Sequence, residues 1–383
     1  MMKNNLFGFG CMRLPVLDEN DNTSFDYDLI ERMFDEYLAR GYTYFDTAYV
    51  YHSYEGEKAI RKALVERYPR NAYELASKLP LRDFKDEEDM MRIFNEQLKN
   101  LGVDYLDYYL LHNMGHNVYR KCEDHQAFSF MVRLKKAKKI RHIGMSFHDT
   151  PELLEEILEK YGDKIDFVQL QINYADWDNP IIQAKNCLAV AKKYGKPVTV
   201  METCKGGTLA KLPKEAEKIM KEYAPEASVA SWAFRFALSR SGVARVLSGM
   251  NSLEQLEDNL NTIDSYEPLN DEELAIIEQV VDILNKNDAI ACTGCGYCAM
   301  GCPMHIAIPQ YFSLYNNLKK LSGSFSSHAS YYNNIVLSGK GRANECLGCG
   351  QCEETCPQHL SIRDNLKKVS EAFDRNSFPT RKV

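Results

Sequence analysis

Short apolar runs alternate with amphipathic stretches along residues 1–285, and the alternation repeats eight times. The runs Phe7–Met12, Tyr42–Asp46, Tyr73–Lys78, Asp107–His112, His142–Ser146, Asp166–Gln171, Val198–Glu202 and Arg245–Ser248 read as buried strands. Between them apolar residues recur at helical spacing. In Tyr27–Arg40 these are Ile30, Met33, Phe34, Tyr37 and Leu38. Glu87–Leu101, Pro151–Tyr161, Ile181–Tyr194 and Ala227–Ser239 follow the same rule, and Gly41, Gly102, Gly162 and Gly195 stand where helices should close. Such a pattern predicts an α/β fold of the (β/α)8 TIM-barrel type. The rival is an open doubly wound sheet, which should carry a glycine-rich phosphate loop after its first strand. Gly8-Phe9-Gly10 is too short for that loop, and no helix follows it.

The pattern changes near Asn285. Beyond it come cysteine-glycine loops, one helical pattern over Pro309–Leu321 and a Ser/Gly/Asn-rich stretch at Ser322–Ser330. The expected division is a barrel over residues 1–285 and a smaller, mostly α-helical domain over 286–383. The chain of 383 residues is long enough for both, and its 26% charged and 45% hydrophobic residues are ordinary for a globular protein. No run of about 18 apolar residues is present, so no membrane-spanning helix is expected. Met1–Gly10 lacks the basic-then-apolar pattern of a secretory leader, which points to the cytoplasm.

Cysteine usage changes the picture most. Eight of the 12 cysteines lie between Cys292 and Cys356, while Cys11, Cys122, Cys187 and Cys204 are scattered and read as incidental thiols. In a reducing compartment the dense group reads as metal ligands. Cys292-x2-Cys295-x2-Cys298-x3-Cys302-Pro303 is repeated as Cys346-x2-Cys349-x2-Cys352-x3-Cys356-Pro357. Three thiolates on one tight loop hold three corners of an iron–sulfur cube, and the fourth cysteine of the run ligates the other cluster. One [4Fe–4S] cluster then takes Cys292, Cys295, Cys298 and Cys356, and the other takes Cys346, Cys349, Cys352 and Cys302. Gly294, Gly296, Gly348 and Gly350 let the loops bend so that amide groups face the sulfurs. Zinc sites, by contrast, use two separated pairs of ligands. The repeated run resembles two-cluster, bacterial-type ferredoxins. The longer spacer between the two runs resembles the helical ferredoxin modules of respiratory reductase subunits.

Charge follows the same division. From Lys286 onward there are 11 Lys/Arg and 7 Asp/Glu, a net of +4, which leaves −11 on residues 1–285 of a chain whose net is −7. The acidic body argues against nucleic acid as a partner. Two cubanes at a formal charge of about −2 each would neutralise the basic C-terminal part.

A second set of residues stands at predicted strand ends. Asp46 and Tyr51 lie in Phe45-Asp46-Thr47-Ala48-x2-Tyr51 after the second strand, Lys78 in Ser77-Lys78 after the third, and His112 in Leu110-Leu111-His112 after the fourth. Active sites of TIM barrels lie at the C-terminal strand ends. Reducing a carbonyl needs a hydride on carbon and a proton on oxygen. A tyrosine phenol near pKa 10 gives up its proton more readily beside an ammonium that a carboxylate anchors. Tyr51 is then the acid, Lys78 the tuning cation, Asp46 the anchor and His112 the group that orients the substrate oxygen.

Over residues 6–285 these motifs resemble the aldo-keto reductase family, TIM-barrel enzymes that reduce carbonyls with a nicotinamide cofactor and use an Asp-Tyr-Lys-His tetrad. The resemblance implies NADP or NAD as cofactor. Ser146 and Gln169 match residues that bind the nicotinamide amide, and Asn259 matches one that contacts adenine, with Gly249 at the same end. Met201 stands where the family has an aromatic ring stacked on nicotinamide, and Gln255 where it often has a basic residue for the 2′-phosphate. Lys205, with Gly206 and Gly207, reads as a substitute phosphate loop or as a plain turn. His116, His125 and His148 fall in expected loops and read as surface residues or, for two of them, as pocket lining. Trp177 reads as a substrate wall or as rim packing.

Together these readings predict an oxidoreductase acting on a small carbonyl or alcohol, with two [4Fe–4S] clusters exchanging electrons with a ferredoxin-like redox partner. Nicotinamides move electrons in pairs, whereas clusters move them singly and flavins do both. Two alternatives therefore stand beside the first reading: a flavin held in the barrel, and an electron-transfer or binding module without carbonyl turnover. Substrate choice is expected from the loop Asn113–Gln126 and from Ser322–Asn334 as a cover for the barrel mouth.

Overall fold

The computed structural model describes residues 5–286, 289–320 and 328–374. Eight parallel strands close a barrel: β1 Phe7–Gly10, β2 Tyr44–Asp46, β3 Glu74–Pro80, β4 Leu106–Met114, β5 Ile140–Phe147, β6 Phe167–Gln171, β7 Val198–Met201 and β8 Val243–Gly249. Each pairs with its neighbours in chain order, and β1 pairs with both β2 and β8. Every expected strand is present, with ends moved by a few residues. β1 stops at Gly10 because Cys11–Arg13 turn into a 3-10 helix. The loop expected over Asn113–Gln126 is largely a helix, His116–Asp124, whose short polar face masks its period. An antiparallel hairpin, Val16–Asp18 with Asp21–Phe25, was not expected, since its strands are short and mostly exposed.

Side-chain alternation fixes what the barrel holds. Tyr44, Ala76, Leu110, Phe167 and Leu247 point inward and form their own apolar cluster. Gly8 and Gly144 make room for it: a Cβ at Gly144 would lie 2.3 Å from the Phe167 ring, and one at Gly8 2.6 Å from Leu247. Two residues further along each strand the same face reaches the C-terminal rim. Those positions are Asp46, Lys78, His112, Ser146, Gln169, Met201 and Gly249.

Beyond the barrel, helices Ile308–Lys320, His328–Leu337 and Ile362–Phe373 meet around Tyr311, Tyr332 and Phe373. The Tyr311 and Tyr332 rings lie 4.5 Å apart and Tyr332 and Phe373 5.1 Å apart. Gly294, Gly296, Gly348 and Gly350 all have left-handed φ, between 72° and 84°. This is the bend expected of the cysteine loops. Residues 321–327, the first part of the expected cover, lie outside the described residues. Among the described residues no helix is long and apolar enough to cross a membrane.

Candidate active site

Lys78 organises the rim. Its Nζ donates to Asp46 Oδ1 at 2.6 Å, to the Thr47 carbonyl at 2.7 Å and to the Tyr51 hydroxyl at 3.3 Å. Asp46 and Lys78 are almost wholly buried. Burial alone would pull the Lys78 ammonium down, but Asp46 and then Tyr51 override it and hold the lysine above its usual range. Burial lifts the Tyr51 phenol above its ordinary value, and Lys78 pulls it back only in part. The neighbouring ammonium thus acts in the expected direction, against a larger opposing effect of burial. His112 stands edge-on to Tyr51, with ring centroids 5.9 Å apart. Burial, then the charges of Lys78, His148 and Arg82, hold its imidazole well below the usual pKa, so it is neutral.

Tyr51 is carried on an unusual backbone. His52, Ser53 and Tyr54 are all left-handed, with φ of 49°, 54° and 73°. Such residues cost about 1–3 kcal/mol each and persist where the surroundings fix them. Here the hairpin does so. His52 Nδ1 donates to the Asn22 carbonyl at 2.7 Å, its Nε2 accepts from Leu14 N at 3.4 Å, and Ser53 Oγ donates to Asn22 Oδ1 at 3.1 Å.

The next sector of the rim is polar. Ser146 Oγ lies 3.2 Å from His148 Nε2 and 3.8 Å from Met201 Sδ. Gln169 Oε1 is a buried acceptor with no hydrogen-bond partner among the described residues. An amide donor such as a nicotinamide carboxamide suits this pair of groups. Asn259 Nδ2 donates to Ser248 Oγ at 3.0 Å, next to Gly249. Gln255 Oε1 accepts from Asn251 N at 3.0 Å and so serves the start of its own helix. Lys205 is placed differently from the expected phosphate loop. Gly206 and Gly207 do turn with φ of 66° and 98°. The Lys205 ammonium, however, is buried on the Asp176 carboxylate, whose other oxygen accepts from Gln171 and Asn173 at 2.8 Å each.

The C-terminal part of the chain lies on this rim. Asn334 Nδ2 donates to the His148 carbonyl at 2.9 Å, Asn113 Nδ2 to Ser330 Oγ at 3.2 Å, and Lys205 Nζ to Asn317 Oδ1 at 3.4 Å. The Tyr331 ring is 6.0 Å from that of His148. His148 is thus buried in the seam rather than on the surface, while His116 stays partly exposed on Asp149. Trp177 packs on Phe236 under Arg240, in a seam cavity of about 720 Å³ away from the tetrad. Of the scattered cysteines, Cys11, Cys122 and Cys187 are buried and Cys204 is half-buried.

The eight clustered cysteines line two separate cavities. Cys292, Cys295, Cys298 and Cys356 surround one, with Phe312 and Ile362. Cys302, Cys346, Cys349 and Cys352 surround the other, with Leu366 and Arg363. Each cavity takes three cysteines from one run and the fourth from the other. Among the described residues no three His, Cys, Asp or Glu side chains converge on a point that would hold one metal ion. Four soft thiols spread around a cavity suit a cluster better than a single zinc.

A closed parallel barrel with an Asp-Lys-Tyr constellation on its C-terminal rim, joined to a paired four-cysteine module, defines a redox enzyme of the reductase type. The chain belongs to the aldo/keto reductase family, whose family model matches residues 7–282; a model for a 4Fe–4S dicluster domain matches residues 291–361. It is 25% identical over 300 residues to an uncharacterized oxidoreductase of Bacillus subtilis, YqkF, covering 71% of this chain and 90% of that one. The holo form of aldo-keto reductase AKR11C1 from Bacillus halodurans superposes with a TM-score of 0.58 at 25% identity, over 72% of this chain and 91% of that one. A Klebsiella pneumoniae aldo-keto reductase solved in complex with NADPH shares the fold, at a TM-score of 0.56 and 21% identity over 72% of this chain and 90% of that one.

Proposed function

We propose that the protein interconverts a small aldehyde or ketone and its alcohol with NADPH or NADH, in a barrel formed by residues 1–285, and that residues 286–383 hold two [4Fe–4S] clusters. The observation that carries the reading is the simultaneous contact of Lys78 with Asp46 and Tyr51. A bound nicotinamide supplies the hydride. Ser146 and Gln169 would hold its carboxamide beside Met201, with Gly249 and Asn259 at the adenosine end.

The remaining steps belong to the side chains. Tyr51 donates its proton to the carbonyl oxygen as the alcohol forms. The fixed Lys78 ammonium stabilises the phenolate left behind, and Asp46 keeps that ammonium in place. Neutral His112 orients the oxygen by a hydrogen bond. Cys292, Cys295, Cys298 and Cys356 hold one cluster, and Cys346, Cys349, Cys352 and Cys302 the other. The clusters exchange single electrons with a ferredoxin-like redox partner.

Tyr51→Phe tests the reading. It should lower nicotinamide-dependent carbonyl reduction by roughly 10²–10⁴-fold and leave the cluster absorption unchanged. Full activity in that variant would overturn it. A yellow chromophore remaining after iron is chelated would replace the nicotinamide by a flavin.

A further inference from the structure

We infer that Arg13 binds the pyrophosphate bridge of the dinucleotide; the assignment rests on the nicotinamide-cofactor reading above. Arg13 sits three residues past the end of β1, whose last residue Gly10 pairs with Gly249 of β8 and Asp46 of β2. Its Nη1 lies 3.6 Å from the place a Gly249 Cβ would occupy, and its own Cβ 3.5 Å from it. The missing side chain at Gly249 therefore leaves the strand end open beneath the guanidinium.

Two other cations of the rim are committed: Lys78 to Asp46, and Lys205 to Asp176. Arg13 is half-buried and has no hydrogen-bond or ion-pair partner among the described residues. Its field is nevertheless felt by Glu202, at the top of β7. A half-buried guanidinium with no hydrogen-bonded acceptor among the described residues keeps five donors that match paired anionic oxygens.

Position selects which anion. The residues suited to nicotinamide, Ser146, Gln169 and Met201, lie at the C-terminal parts of β5, β6 and β7, and those suited to adenosine are Gly249, which ends β8, and Asn259 in the helix that follows. From the far side of β8 the Arg13 side chain passes over Gly249, and its field reaches Glu202 and Cys204 just past β7. The pyrophosphate is the part of a dinucleotide that spans that interval.

The test measures binding. Holoprotein is titrated anaerobically with NADPH and, separately, NADH, and dissociation constants are read from nicotinamide fluorescence. Arg13→Gln should weaken both dinucleotides in parallel, by roughly 10- to 100-fold, with Arg13→Lys in between. Melting temperature and cluster absorption serve as controls on folding. Unchanged constants in Arg13→Gln would overturn the assignment alone. A loss confined to NADPH would also overturn it, by moving the guanidinium to the 2′-phosphate. Failure of the unmodified protein to bind either dinucleotide would overturn this assignment and the cofactor reading together.

Discussion

Asn334, from a helix that lies between the two cysteine runs, donates a hydrogen bond to the backbone carbonyl of His148 at 2.9 Å. His148 in turn reaches Ser146 on the barrel rim. A residue of the 4Fe–4S dicluster domain therefore bonds to a loop of the barrel rim. Asn334→Ala should remove about 1 kcal/mol from this latch, roughly a five-fold shift in its closed population. The expected result is a several-fold drop in kcat/KM, with faster amide exchange confined to the helix His328–Leu337 and to residues near His148. Exchange unchanged at both places would show that the contact holds nothing.

The barrel was legible because its two periods are strong: inward alternation on the strands and helical spacing between them. The tetrad was legible because Asp46, Lys78 and His112 each stand at the end of such a strand. What the rim does with its other charges was not. Lys205 beside two glycines has the look of a phosphate loop, yet Asp176, far away in sequence, takes its ammonium. Arg13 carried no motif at all. The Asn334–His148 latch joins residues 186 positions apart, and neither has a local signal. Of the stretch Ser322–Asn334 expected to cover the barrel mouth, the described part, 328–334, is helical and bonds to Asn113 and His148.

Acid should loosen that seam. Burial, with the charges of Arg82 and Lys78, lowers the His148 pKa to about 4, and burial with Lys205 does the same for His328. In the unfolded chain both titrate near 6.5. Between these values the unfolded chain binds more protons than the folded one. Stability is therefore complete above about pH 6.5 and falls as the pH drops toward 4. Urea midpoints at pH 7.5 and 5.5 should differ clearly for the native sequence and less for His148→Gln with His328→Gln. Equal pH dependence in both would contradict the account.

The proposed cross-ligation between the cysteine runs has a direct consequence. Cys356 belongs to the second run but lines the cavity of the first. Cys356→Ser should therefore disturb the cluster held by Cys292, Cys295 and Cys298, and lower iron from about eight toward about four atoms per chain. The signal that survives should be lost in turn on adding Cys346→Ser. If Cys346→Ser instead leaves that signal intact, each run ligates its own cluster.

The central claim is that the barrel delivers a hydride from nicotinamide to a carbonyl carbon with Tyr51 supplying the proton. Anaerobically purified protein is given deuterated NADPH, labelled at the transferable position, with a panel of aldehydes and ketones, and the products are read by mass spectrometry. The account predicts deuterium on the carbinol carbon, lost in Tyr51→Phe while both clusters persist. Alcohol that carries only solvent hydrogen at that carbon, formed with cluster-dependent turnover, would contradict it.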